Sequence, residues 1–178
     1  MSSISAENIR NVALVGHNGT GKTALTEAVL FAAGAIKKKG SVSDKTSVSD
    51  FDADEKERGH SIETAITHCD FADKRINWLD CPGLPDFAAG AEEGMAACET
   101  ALFAVSAAAG MEVMTRKLWG MATAMEKPKM FVLTKMDHER AKYEEVIEQL
   151  RDVFGKSVVP LFLPIGVGPP PPPDQPTY

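Results

Sequence analysis

Gly16-His17-Asn18-Gly19-Thr20-Gly21-Lys22-Thr23 is the stretch that decides the fold. It follows an apolar run, Val12-Ala13-Leu14-Val15, and precedes Ala24–Ala33, a segment of good helix formers. Strand, glycine-rich turn and helix form the context that G-x-x-x-x-G-K-[ST] needs to hold phosphate. Glycines at 16, 19 and 21 let the turn bend tightly and point backbone N–H groups inward. A helix beginning near Lys22 aims its positive dipole end at the same place. From there Lys22 can reach the β- and γ-phosphates of a nucleotide, and the Thr23 hydroxyl can bind Mg²⁺.

The rest of the composition is compatible with such a domain. A chain of 178 residues with 44% apolar and 25% charged content has enough length for one domain and one core. A net charge of −6 argues against a basic surface that wraps nucleic acid, and no direct sequence-specific nucleic-acid binding is expected from this segment. Cys69, Cys81 and Cys98 have no CxxC spacing and read as free thiols. His17, His60, His68 and His138 form no zinc pattern. No apolar run approaches ~18 residues and no signal segment opens the chain, so no membrane contact and a cytoplasmic location are expected.

Outward from the glycine loop, periodicity assigns the remaining elements. Ile9–Val15 reads as a buried strand and Lys22–Ala33 as a helix with Leu25, Val29 and Ala32 inward. Ala35–Gly59 is charged and aperiodic, and its place after the phosphate loop suits a switch that closes over the nucleotide. Strands are expected at Ser61–Phe71 and Arg75–Leu79, joined by a turn at Ala72-Asp73. The second runs into Asp80-Cys81-Pro82-Gly83, where Asp80 can hold Mg²⁺ through water and the Gly83 N–H can find the γ-phosphate. A helix loosened by Gly90 and Gly94 follows over Asp86–Cys98, then a strand at Ala101–Val105. A helix over Met111–Met125 has Val113, Leu118 and Met121 or Ala122 inward, and a strand follows at Met130–Leu133. That strand delivers Thr134-Lys135-Met136-Asp137. The Asp137 carboxylate can accept from the ring N–H and exocyclic amine of guanine, a donor pair adenine lacks, and Lys135 can lay its stem over the purine. Lys142–Phe154 is the clearest amphipathic helix, and Val158–Leu163 reads as a last short strand. The composition breaks at Gly166, and Pro169–Pro173 reads as part of an extended tail.

With these signatures in order, the chain resembles the translational GTPases, and among them the elongation factor G family and its elongation-factor-G-like paralogues. The resemblance runs from Ile9 to Gly166. It rests on Gly16–Thr23, on Glu57-Arg58-Gly59-His60-Ser61-Ile62, on Asp80–Gly83 with Asp86-Phe87, on Thr134–Asp137, and on Val159–Gly166. It implies an α/β fold of the P-loop NTPase (G domain) type, a mostly parallel sheet flanked by helices, incomplete at its C-terminus. Residues 1–166 would be the GTP-binding domain, ending before the family's fifth guanine-site motif, and 167–178 a proline-rich tail. The implied ligands are GTP or GDP and Mg²⁺, with the ribosome as partner of a full-length parent. The implied pocket is Gly16–Thr23, Asp80, Cys81, Pro82, Gly83 and Leu84, and Thr134, Lys135, Met136 and Asp137. The implied metal ligands are Thr23, Ser61 and Asp80, with serine at 61 where the family usually has threonine.

Two departures bear on hydrolysis. Leu84 stands where the family usually places the His that positions the attacking water, and leucine cannot orient water. Gly19 stands where a carboxylate is usual. Lys22 and Gly83 remain to stabilise the γ-phosphate, and no side chain is assigned with certainty to the chemical step. Three readings follow: a slow ribosome-linked GTPase, a nucleotide switch that has lost efficient hydrolysis, or a fragment whose pocket does not close.

Overall fold

The computed structural model describes residues 4–165; the expected tail lies outside the described residues. The elements are β1 (Ile9–Val15), α1 (Lys22–Ala32), α2 (Ala53–Arg58), β2 (Ala65–Phe71), β3 (Lys74–Asp80), α3 (Ala88–Ala96), β4 (Thr100–Ser106), α4 (Val113–Ala124), β5 (Lys129–Thr134) and α5 (Tyr143–Phe154). Five strands form one sheet in the order β2-β3-β1-β4-β5. β1, β3, β4 and β5 are parallel, and β2 returns antiparallel to β3.

The register sets the site. Leu14 pairs with Asp80, Val15 with Phe103, and Ser106 with Thr134. The parallel strands therefore end on one edge, and β1 sits where the strand order reverses, the place where open α/β sheets bind ligands. Ala13, Leu14 and Val15 are fully buried because helices cover both faces, which explains an unbroken apolar run. On one face Met95 of α3 and Met114, Leu118 and Ala122 of α4 pack on Ala13, Val15 and Phe103. Val146 and Leu150 of α5 pack on Val105.

Several expected boundaries and faces differ. α1 buries Thr26, Glu27 and Leu30, whereas Leu25 and Val29 are half-buried and Ala32 is exposed. The reason is Glu27, which accepts N–H bonds from Gly40 (2.7 Å) and Val48 (2.6 Å) and so draws the following loop across the helix. In α4 it is Met114, not Val113, that turns inward; Val113 is 77% exposed. The loop 35–59 contains a short helix, α2, capped by the Asp52 carboxylate accepting from the Asp54 N–H. β2 starts at Ala65, not Ser61, because the N–H groups of Ile62 and Glu63 donate to the buried Glu55 carboxylate (2.8 and 3.1 Å) instead of to a neighbouring strand. Val158–Leu163 is not a strand. Pro160 lacks an N–H, the Val158 carbonyl accepts from the Arg151 guanidinium (3.2 Å), and Leu161, Phe162 and Leu163 are exposed.

Candidate functional site

Three loops leave the C-terminal ends of parallel strands, and a fourth segment, which leads into β2, reaches the same edge. The first is Gly16–Thr23. Gly21 has φ 89°, a left-handed conformation, and it caps the N-terminus of α1. Thr20 is buried, and its hydroxyl donates to the His17 carbonyl at 2.9 Å. Asn18 and Gly19 are exposed at the tip. The Lys22 ammonium lies inside the loop and donates to the carbonyls of Gly16 (3.2 Å) and His17 (3.0 Å). Burial lowers its pKa, opposed first by the negative charge of Asp80. Nε2 of His17 faces the Glu112 carboxylate at 3.4 Å.

The second loop is Asp80-Cys81-Pro82-Gly83, whose residues are all buried. The Cys81 N–H donates to the Leu14 carbonyl (3.1 Å), which ties the turn to β1 beside the glycine loop. Gly83 touches that loop directly: a Cβ there would lie 2.7 Å from the Asn18 nitrogen and 2.8 Å from the His17 carbonyl carbon. Any larger residue would push the two loops apart. Leu84 follows in extended conformation and opens the 3-10 turn Pro85–Phe87. Cys81 is held under α3, and burial pushes its thiol up to about 12.

The third is the switch segment. It brings Ser49 and Asp50, both buried, toward Asp80. Neither oxygen of Asp80 has a hydrogen-bond partner, nor do Oδ2 of Asp50 and Oγ of Ser49. The hydroxyls of Thr23 and Ser49 approach Asp80 closely enough to favour its charge but not at hydrogen-bond geometry. Burial dominates and raises the Asp80 carboxyl to about 6, with Lys22 pulling the other way. Burial likewise raises Asp50. The Ser61 hydroxyl donates to Oδ1 of Asp50 at 2.8 Å, so it joins the cluster through that carboxylate. Buried carboxylate and hydroxyl oxygens without partners are the donor set a hard divalent cation takes. No group of three or more His, Cys, Asp or Glu surrounds a point among the described residues, so such an ion would rely on hydroxyls and on oxygens of a bound phosphate. Ser49 and Asp50 escape a reading of the sequence because one serine and one aspartate in an aperiodic polar loop carry no spacing signal.

The fourth is Thr134–Asp137. Thr134 ends β5, and its hydroxyl donates to the Thr20 carbonyl (2.5 Å) with a second contact to Val105 (3.3 Å). Lys135 has φ 53°, uncommon for a residue with a side chain, and lies exposed together with Asp137. Met136 is half-buried between them. The structure thus gathers the glycine loop, the Asp80 turn and Thr134 directly. Asp137 stands further out on the same edge, and Ser61 is reached through Asp50.

A mostly parallel sheet with a G-x-x-x-x-G-K-T loop at its reversal point, a buried Asp opposite it and a T-K-M-D turn on the same edge defines a P-loop nucleotide-binding domain. Comparison narrows the class. The family described as the elongation factor Tu GTP binding domain matches residues 7–164, and the chain belongs to it. An elongation factor G-like protein of Mycobacterium tuberculosis is 39% identical over 160 residues, 90% of this chain and 22% of that protein. The protein of the same description from Thermotoga maritima is 35% identical over 90% of this chain and 23% of its own length. Elongation factor G of Salinibacter ruber is 34% identical over 93% of this chain and 24% of its own. A crystal structure of a protein from Thermus thermophilus superposes with a TM-score of 0.80 at 39% identity, covering 83% of this chain and 22% of that one. The chain therefore spans less than a quarter of the length of these relatives.

Proposed function

We propose that the chain binds GTP and GDP with Mg²⁺ and serves as the nucleotide-binding domain of an elongation-factor-G-like translation factor. The observation that carries this reading is the convergence of Lys22, Asp80 and the Thr134–Asp137 turn on one edge of the sheet. Lys22 and the N–H groups of the glycine loop and Gly83 meet the phosphates; Asp137 and Lys135 meet the base. Thr23, Ser61 and Asp80 would hold the metal, which supplies charge neutralisation between the terminal phosphates. A ribosome as partner of the full-length protein and a cytoplasmic location are part of this reading, supported by the relative described as elongation factor G. No described helix is long and apolar enough to cross a membrane.

A second reading keeps binding without efficient hydrolysis, and Leu84 favours it. Without an assisting group, turnover on the order of 10⁻⁴ per second or slower is expected, the scale of an intrinsic GTPase that lacks its arginine finger. Titration of fluorescent GTP, GDP and ATP analogues with and without Mg²⁺ tests the first step. Selective, Mg²⁺-dependent binding of guanine nucleotides is expected, and equal affinity for ATP would overturn the assignment. An Asp137→Asn variant, whose amide can donate, should lose guanine and gain xanthine nucleotides, which carry a carbonyl where guanine has its amine.

A further inference from the structure

Asp50 is a buried carboxylate of the switch segment, within electrostatic reach of Asp80 and of the Lys22 ammonium. Its two oxygens are used differently. Oδ1 accepts the Ser61 hydroxyl proton at 2.8 Å, and Oδ2 is buried without a partner. The backbone on each side of this pair is fixed by another carboxylate. The Val48 N–H donates to Glu27 of α1 at 2.6 Å, and the Ser49 N–H donates to the Ser47 hydroxyl at 3.2 Å, so the stretch that carries Asp50 is tied to the helix behind the glycine loop. The N–H groups of Ile62 and Glu63 donate to Glu55, which holds the stretch that follows Ser61.

A hydroxyl has one proton and two lone pairs, and the acceptor that takes the proton decides where the lone pairs point. With its proton committed to Asp50, the Ser61 oxygen offers only lone pairs to a cation. The negative charge behind the proton also makes that oxygen a stronger electron-pair donor. Serine needs such a partner more than threonine does. The branched Cβ of threonine restricts χ1, whereas serine turns among three staggered rotamers and a hydrogen bond must select one.

We propose that Asp50 is a positioning residue of the metal site: by accepting the Ser61 proton it fixes the Ser61 rotamer and leaves the oxygen's lone pairs for Mg²⁺; this rests on the Mg²⁺-nucleotide reading above. Asp50 acts through Ser61 and needs no bond of its own to the ion. The switch segment thus carries its hydroxyl to the Asp80 edge already oriented, with Glu27 and Glu55 holding the backbone on either side.

The test is titration of Mg²⁺ into the chain loaded with a fluorescent, non-hydrolysable GTP analogue, for the parent, Asp50→Ala, Asp50→Asn, Ser61→Ala and the double variant of Asp50→Ala with Ser61→Ala. The affinity for the analogue in EDTA is measured beside it. Asp50→Ala is expected to raise the Mg²⁺ midpoint about tenfold to a hundredfold without weakening the affinity in EDTA. Asp50→Asn keeps an acceptor oxygen and is expected to lie between the parent and Asp50→Ala. Ser61→Ala is expected to lose at least as much, and in that background Asp50→Ala should cost nothing further. An unchanged midpoint in Asp50→Ala overturns the proposal. Losses that add in the double variant also overturn it, because the carboxylate would then attract the ion by its charge and not through Ser61. So does a fall in the EDTA affinity, because a residue that only supports the fold weakens binding without the metal. A parent that binds no guanine nucleotide, or binds it without regard to Mg²⁺, overturns the nucleotide reading and this proposal with it, and the parent's own titration tells that failure from the others.

Discussion

The Thr134 hydroxyl donates to the Thr20 carbonyl at 2.5 Å, joining two residues 114 positions apart. The turn proposed to read the base and the loop proposed to hold phosphate are thereby fixed to each other. Thr134→Val keeps the shape and removes the donor, leaving the Thr20 carbonyl without that bond. The cost is about 1 kcal/mol, or roughly fivefold in affinity. GDP and GTP should weaken equally, because the tether precedes the terminal phosphate, whereas Thr134→Ser should bind as the parent does. Titration of the fluorescent analogues decides it, and a selective loss of GTP would contradict the tether.

The buried carboxylate of Asp80 gives a pH signature. Its ordinary pKa is 3.8, and burial raises it to about 6 in the folded chain. The folded state thus binds the proton more tightly than the unfolded state. The associated stability is fully present below pH 3.8 and is lost as pH rises through about 6. That difference in proton affinity corresponds to about 3 kcal/mol. Asp80→Asn cannot ionise and escapes this loss. Without nucleotide, the variant should gain on the parent in urea unfolding between pH 5 and pH 8, and the parent should recover when Mg²⁺ and GDP are added. Parallel pH profiles for the two proteins would show that Asp80 is not the group responsible.

α3 lies on the Asp80 turn with no side chain between them at two positions. A Cβ at Gly94 would sit 2.5 Å from Sγ of Cys81, and one at Gly90 would sit 3.1 Å from Cγ of Pro82. The Thr64 hydroxyl adds a bond to the Gly90 carbonyl at 2.8 Å, so the end of the switch segment clasps the same helix. Gly94→Ala raises intrinsic helix propensity but overpacks this contact, and a net loss of about 1–3 kcal/mol is expected. Combining it with Cys81→Ala removes the clashing sulfur. The double variant should recover most of what Gly94→Ala loses, a coupling that thermal unfolding of the four proteins measures.

These contacts mark how far the sequence can be read. Gly16–Thr23, Asp80–Gly83 and Thr134–Asp137 are legible because each motif is local and each ends a recognisable apolar strand. The mostly parallel pairing follows from helices alternating with strands, whereas the strand order is seen only in the fold. Glu27, Asp50 and Thr64 are not legible, because each acts across the fold and none sits in a periodic pattern. Glu27 also explains why the inner face of α1 differs from the expected one: a buried carboxylate stands where apolar residues are expected. Val158–Leu163 has the composition of a strand, but Pro160 and the bond from Arg151 to the Val158 carbonyl take it out of the sheet.

Glu27 carries the last prediction. It is fully buried in α1, and its two oxygens accept the N–H groups of Gly40 and Val48. These bonds pin both ends of the stretch from Gly40 to Val48 to the helix that begins at the glycine loop. Glu27→Ala leaves two donors without acceptors, which costs about 1–3 kcal/mol each where water cannot replace the carboxylate. Water can reach this edge once the loop lifts, so the cheaper response is local opening rather than global unfolding. The expected result is faster trypsin cleavage at Lys39 and Lys45 with little change in the global unfolding midpoint. Glu27→Gln keeps one acceptor oxygen and should be cleaved at an intermediate rate. Cleavage unchanged in Glu27→Ala would mean that the loop is held by its own turn, in which the Thr46 N–H donates to the Ser41 carbonyl at 3.0 Å, and not by α1.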